Sequence, residues 1–74
     1  MNPYGVVLFH TTSSAMRAEK TLLRAGLEIK MIPTPRQFSS DCGIALRFDR
    51  PQTPAVQEML DAARVETAGI HPLD

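Results

Sequence analysis

The sequence predicts an α+β domain of the ferredoxin-like kind. This is a βαββαβ two-layer sandwich, an antiparallel four-stranded sheet with two helices on one face. Three observations predict it. Apolar residues alternate at period two in some segments and recur at helical spacing in others. These segments follow the order strand, helix, strand, strand, helix, strand. Glycine, proline and N-cap hydroxyls mark most of the boundaries between them.

Tyr4 to Phe9 is rich in β-branched and aromatic residues and reads as the first strand. Thr11 to Ser14 then offers several N-cap hydroxyls. Ala15, Ala18, Leu22 and Ala25 recur at helical spacing, with Met16 and Leu23 alongside, and Gly26 is placed to end the helix. Leu27, Ile29 and Met31 alternate with Glu28 and Lys30, the pattern of a half-buried strand. Pro33 and Pro35 stop that strand, because each lacks a backbone donor and restricts the residue before it. The stretch from there to Asp41 is loop. Ile44, Leu46 and Phe48 alternate with Ala45 and Arg47 in a third strand, and Asp49 to Gln52 is a turn. Thr53-Pro54 sets a hydroxyl before a proline at the start of a second helix, whose apolar face is Val56, Met59, Leu60 and Ala63. Glu66 to Leu73 is a weaker fourth strand.

The chain has 74 residues, enough for one domain over residues 1–74 and one small core. Eight Lys/Arg balance eight Asp/Glu, so no global field draws the protein to nucleic acid or anionic lipid. No apolar run approaches the length of a membrane span, and the N-terminal one is too short for a signal-peptide core. One unpaired cysteine fits a reducing compartment, so a bacterial cytoplasm is the expected location. No cofactor and no metal are expected.

In a βαββαβ sheet the first and third strands are antiparallel neighbours. The end of the first therefore lies beside the start of the third, which brings His10 and Cys42 to one sheet edge. His10 shares a side with Val6 and Leu8, and Cys42 with Ile44, Leu46 and Phe48, provided strand geometry extends that far. If both apolar sets face the helices, His10 and Cys42 point the same way. A one-residue slip reverses this.

The expected consequence is thiolate stabilisation. Helix N-termini and nearby His⁺ or Arg lower cysteine pKa from about 8.5 to roughly 3.5–7.5. His10, Arg36 and the hydroxyls of Thr11, Thr12, Ser39 and Ser40 are the candidate contributors, and Asp41 opposes them. Gly43 leaves backbone freedom beside the sulfur for a bulky adduct. The bland readings are a buried inert thiol for Cys42 and a plain strand-end residue for His10. Arg17, Lys20 and Arg24 share one face of the first helix, ordinarily just a solvated face.

The chain resembles a family of small bacterial proteins described as selenium/sulfur carrier-like. The resemblance rests on Leu8-Phe9-His10-Thr11, Met16-Arg17-Ala18-Glu19-Lys20, Pro33-Thr34-Pro35-Arg36 and Ser39-Ser40-Asp41-Cys42-Gly43-Ile44-Ala45-Leu46-Arg47-Phe48. It implies that Cys42 is the carrier residue, holding sulfur or selenium as a persulfide-like adduct. The implied partners are a desulfurase- or lyase-type donor and an acceptor enzyme of selenium metabolism. Asp41 departs from a serine-like position in that pattern. Residues from Pro51 onward carry little of the resemblance.

A carrier needs a reachable nucleophilic thiol and no large pocket, so a non-enzymatic carrier suits this length better than a self-sufficient enzyme. A copper chaperone on the same topology would need a Cys-x-x-Cys pair where the chain has His10-Thr11-Thr12-Ser13-Ser14. RNA binding lacks its motif on the third strand. The runner-up is a protein-interaction or regulatory module in which Cys42 is incidental. In that reading Gly5, Val7 and Phe9 form an apolar patch on the open sheet face that pairs with another sheet. Under either reading a second copy of the chain is expected to cover that face as a homodimer.

Overall fold

A computed structural model describes residues 2–38 and 41–73. The elements are β1 (Tyr4–Leu8), α1 (Thr12–Arg24), β2 (Ile29–Pro33), β3 (Ile44–Asp49), α2 (Thr53–Ala62) and β4 (Gly69–Pro72), with one 3-10 turn at Arg50–Gln52 before α2. The four strands form one antiparallel sheet in the order β2-β3-β1-β4. Both helices pack on the same face, so the architecture is the ferredoxin-like sandwich that the element order predicts.

Both helix ends close the same way. In α1 the Gly26 N–H donates to the Leu23 carbonyl and the Leu27 N–H to the Leu22 carbonyl, with Gly26 at φ +83°. This is a Schellman cap, and Leu22 and Leu27 supply its apolar contact in the core. In α2 the Arg64 N–H donates to Asp61 and the Val65 N–H to Leu60. Here Arg64 holds the left-handed position, at φ 56°, where glycine is usual.

The main core lies between the helices and the sheet. Val7, Phe9, Leu46 and Phe48 meet Ala15, Ala18 and Leu22 of α1 and Val56 and Leu60 of α2. Val6, Leu8 and Ala45 form a second, smaller cluster on the opposite face. This corrects the expected facing of β1. Val7 and Phe9 point toward the helices, and Val6 and Leu8 point away. The reason is that β1 is apolar on both sides, so alternation alone does not orient it. The register does, because Val7 lies opposite Leu46 and Gly5 opposite Phe48. Directly opposed residues share a side of the sheet.

The face opposite the helices is not bare. Residues 34–38 of the β2–β3 connection fold back across it as a strap. Its turn is closed by the Phe38 N–H donating to Pro35, and its base by the Thr34 N–H donating to Gly43. Phe38 packs over the Val6–Leu8–Ala45 cluster and stacks on His71 of β4, with ring centroids 5.0 Å apart. Gln37 Nε2 donates to the Leu73 carbonyl at 2.7 Å. The patch expected to recruit a second copy therefore does not exist as imagined. Val7 and Phe9 are wholly buried in the chain's own core, and the strap covers Val6, Leu8 and Ala45.

Candidate functional site

Antiparallel pairing of β1 with β3 ends at Leu8 opposite Ala45. The two segments beyond that pair, Phe9–Thr11 and Asp41–Gly43, stay together. His10 Nδ1 lies 3.3 Å from Asp41 Oδ2, with the two side chains 49% and 79% exposed. A carboxylate only accepts, so Nδ1 is the protonated nitrogen of this pair, and in the neutral ring Nε2 is the basic one. Sequence reasoning gave Asp41 only the role of opposing a bound anion. Its carboxylate is also the partner that orients His10.

Cys42, the next residue, turns the other way. It is half-buried and packs against the helix-side core. Its Sγ–H donates to the Ile44 carbonyl at 3.1 Å. The parity expected for the pair thus fails on the His10 side. Val6 and Leu8, whose side His10 was expected to share, face away from the helices, whereas Cys42 joins the helix-side core. The shared sheet end holds. Cys42 is half-buried, and its chain neighbours Asp41 and Gly43 are exposed.

The other candidate residues divide clearly. Thr11 is the N-cap of α1, extended at φ −136° and ψ 152°, and its Oγ1 accepts from the Ser14 N–H. Its own hydroxyl proton goes to Ser14 Oγ at 3.1 Å. Thr11 therefore serves the helix, starting α1 beside the Cys42 segment. Thr12 is exposed in the first turn. Arg36 is exposed in the turn of the strap and has no ion pair among the described residues. Gly43 has φ +73°, and a Cβ there would meet nothing within 4 Å. Its contribution is the left-handed backbone that turns the strap into β3. Ser39 and Ser40 lie outside the described residues.

Two surface depressions of about 470 and 480 Å³ lie at the other end of the sheet, and Cys42 is on the wall of neither. Among the described residues no three His, Cys, Asp or Glu side chains converge as a metal site would require. No helix among them is long and apolar enough to cross a membrane. The chemistry on offer is that of one half-buried thiol at a sheet end, held by a backbone carbonyl.

The sequence matches, over residues 4–72, the protein family described as "putative Se/S carrier protein-like". The chain belongs to this family. The matched span runs from the first residue of β1 to the last of β4 and includes Cys42. No curated protein and no solved structure matches the chain. The family's description names a carrier of selenium or sulfur. Membership extends past Pro51, into the half where the sequence resemblance was weakest.

Sequence reasoning missed the strap clamp of Gln37, Phe38 and His71. One signal was available. Phe38 is an aromatic side chain in an otherwise polar loop, and such a ring needs cover. Nothing in the sequence said that His71 would supply it.

Proposed function

We propose that the protein is a carrier that accepts sulfur or selenium on Cys42 and passes it on. The observation that supports this best is membership of the Se/S carrier family by a chain whose only thiol, Cys42, lies within the matched span. In the loading step the Cys42 sulfur, as thiolate, attacks the terminal sulfur of a persulfide on a donor protein. A new S–S bond forms at Cys42 and the donor's S–S bond breaks. Its electron pair leaves with the donor sulfur as a thiolate, so no net oxidation occurs. A terminal selenium atom moves by the same exchange. Unloading is the same reaction with an acceptor thiol as attacker.

The thiolate has no hydrogen to give, so loading releases Sγ from the Ile44 carbonyl. That frees the sulfur to turn outward between Asp41 and Gly43. In this reading His10, which lies at this end, and Arg36, reaching back from the turn of the strap, stabilise the anionic adduct, and the hydroxyls of Ser39 and Ser40 and the open backbone at Gly43 are proposed to support it. Thr11 acts indirectly, by fixing the start of α1. The carrier needs no resident cofactor, because both steps are thiol exchanges and the donor enzyme generates the persulfide beforehand. Donor and acceptor are desulfurase- or lyase-type and selenium-using proteins, and a reducing cytoplasm keeps the thiol competent.

One observation favours a second reading. Cys42 packs against the core and satisfies the Ile44 carbonyl, which is what a packing cysteine in an interaction module would do. Transfer of a labelled atom separates the two. A desulfurase bearing radiolabelled persulfide is mixed with wild type or Cys42→Ser, and label on the carrier and on an added acceptor is followed. Serine can donate the same hydrogen bond to Ile44, so the variant folds. Loss of all relay in Cys42→Ser supports the carrier. Label relayed equally well by the variant, or never acquired by wild type, leaves the interaction module.

A further inference from the structure

Among the described residues the exposed large apolar side chains are Met16, 61% exposed, and Leu23, 55% exposed. Both lie on α1. With Lys20 they recur at i, i+4 and i+7, so the three share one face. That face flanks the one on which Ala15, Ala18 and Leu22 bury α1 against the sheet. Arg24 lies beside Lys20, and among the described residues neither has a carboxylate partner. Arg17 is committed elsewhere, since its Nη2 donates to the Ala63 carbonyl at the end of α2.

Charge is distributed unevenly over the helix layer although the chain is neutral overall. α1 carries three basic residues, Arg17, Lys20 and Arg24, against one acidic residue, Glu19. α2 carries Glu58 and Asp61 and no basic residue. An acidic protein surface is drawn to the Lys20 and Arg24 side of α1, where two cations without carboxylate partners among the described residues lie together. Met16 sits about one turn from the start of α1, and that start lies at the end of the sheet that holds Cys42. Toward the other end the apolar strip continues from Leu23 onto Leu27 and Ile29, along the wall of a shallow depression of about 470 Å³.

We propose that the outer face of α1 is the docking surface for a partner protein that presents an apolar contact inside an acidic rim. The apolar contact meets Met16 and Leu23, and the rim meets Lys20 and Arg24. Seated there, the partner's edge reaches the end of the sheet where Cys42 lies. The inference deepens the carrier reading and rests on it, because it identifies the chemistry of the protein that exchanges cargo with Cys42.

The test uses two sulfur donors. Glutathione persulfide loads a thiol without protein docking, whereas a cysteine desulfurase carrying labelled persulfide must dock. The variants are Lys20→Glu/Arg24→Glu and Met16→Ser/Leu23→Ser, all at exposed positions. Both variants should load from glutathione persulfide at the wild-type rate. From the desulfurase the charge-reversed variant should load about tenfold more slowly at low ionic strength, and the apolar-to-serine variant also more slowly. Wild-type loading should fall as salt rises, and loading of the charge-reversed variant should not. Equal loading of wild type and variants by the desulfurase, or loading of wild type by the small donor alone, overturns the docking surface and leaves the carrier reading standing. A wild-type dimer in sedimentation that the charge reversal dissolves overturns it in favour of a second copy. If neither donor loads Cys42, the carrier reading fails and the docking surface fails with it.

Discussion

Gly5→Ala tests the facing of β1, which decides the side of the sheet that Val7 and Phe9 give to the core beneath the helices. Gly5 is buried opposite Phe48, and a Cβ at position 5 would lie 2.5 Å from Cζ and 2.8 Å from Cε2 of that ring. Phe48 is only 2% exposed and is packed into the main core, so it has no room to withdraw. Overpacking of a closed core costs about 1–3 kcal/mol. Alanine regains roughly 0.5–1 kcal/mol over glycine within a strand, because it loses less conformational freedom. The expected net loss is about 1–2 kcal/mol. In a domain of this size that lowers the melting temperature by roughly 5–15 °C. Thermal unfolding of four proteins measures it: wild type, Gly5→Ala, Phe48→Leu and the double variant. The shorter leucine makes room for the methyl group, so the cycle should show a favourable coupling of about 1 kcal/mol or more. A neutral or stabilising Gly5→Ala, or zero coupling, would mean that β1 presents its other side to the helices.

Two further perturbations probe the strap and the end of α2. Phe38→Ala removes the stack on His71 and the cover over Val6, Leu8 and Ala45, which should cost about 1–2 kcal/mol and speed amide exchange and proteolysis between residues 34 and 43. Unchanged exchange in that segment would show that Gln37 and the turn hold the strap without the ring. Arg64→Gly should stabilise the fold by about 0.5–1 kcal/mol in chemical denaturation, because glycine takes the left-handed conformation at φ 56° without the Cβ penalty and offsets that gain only partly through its freer unfolded chain. Destabilisation would mean that the Arg64 side chain contributes more than its backbone costs.

The element order was readable because its punctuation is local. Thr11, Gly26, Pro33, Pro35 and Pro54 each act on the backbone within a few residues of their own position, and each stands at or next to a boundary in the fold. The facing of β1 was not readable in that way. Gly5-Val6-Val7-Leu8 is apolar on both sides, and only its pairing with β3 orients it. The end of α2 was hidden for a related reason. Its cap uses a conformation for which Arg64 gives no compositional sign. At the site, the meeting of the His10 and Cys42 segments followed from topology. The His10–Asp41 pair and the inward turn of Cys42 depend on side-chain directions beyond the last paired residues, which strand alternation does not govern. The strap depends on a contact between Phe38 and His71, residues far apart in sequence and with no local signature linking them.

The measurement that bears most directly on function is the intact mass of the protein purified without reductant, before and after incubation with a persulfide- or perselenide-bearing donor protein. If Cys42 is the carrier, the mass rises by one sulfur or one selenium atom. Peptide mapping places that atom on Cys42, and an acceptor thiol removes it and restores the starting mass. A mass that never changes with any such donor, while Cys42 alkylates only after denaturation, would show the thiol to be core packing beside the Ile44 carbonyl and would contradict the carrier function.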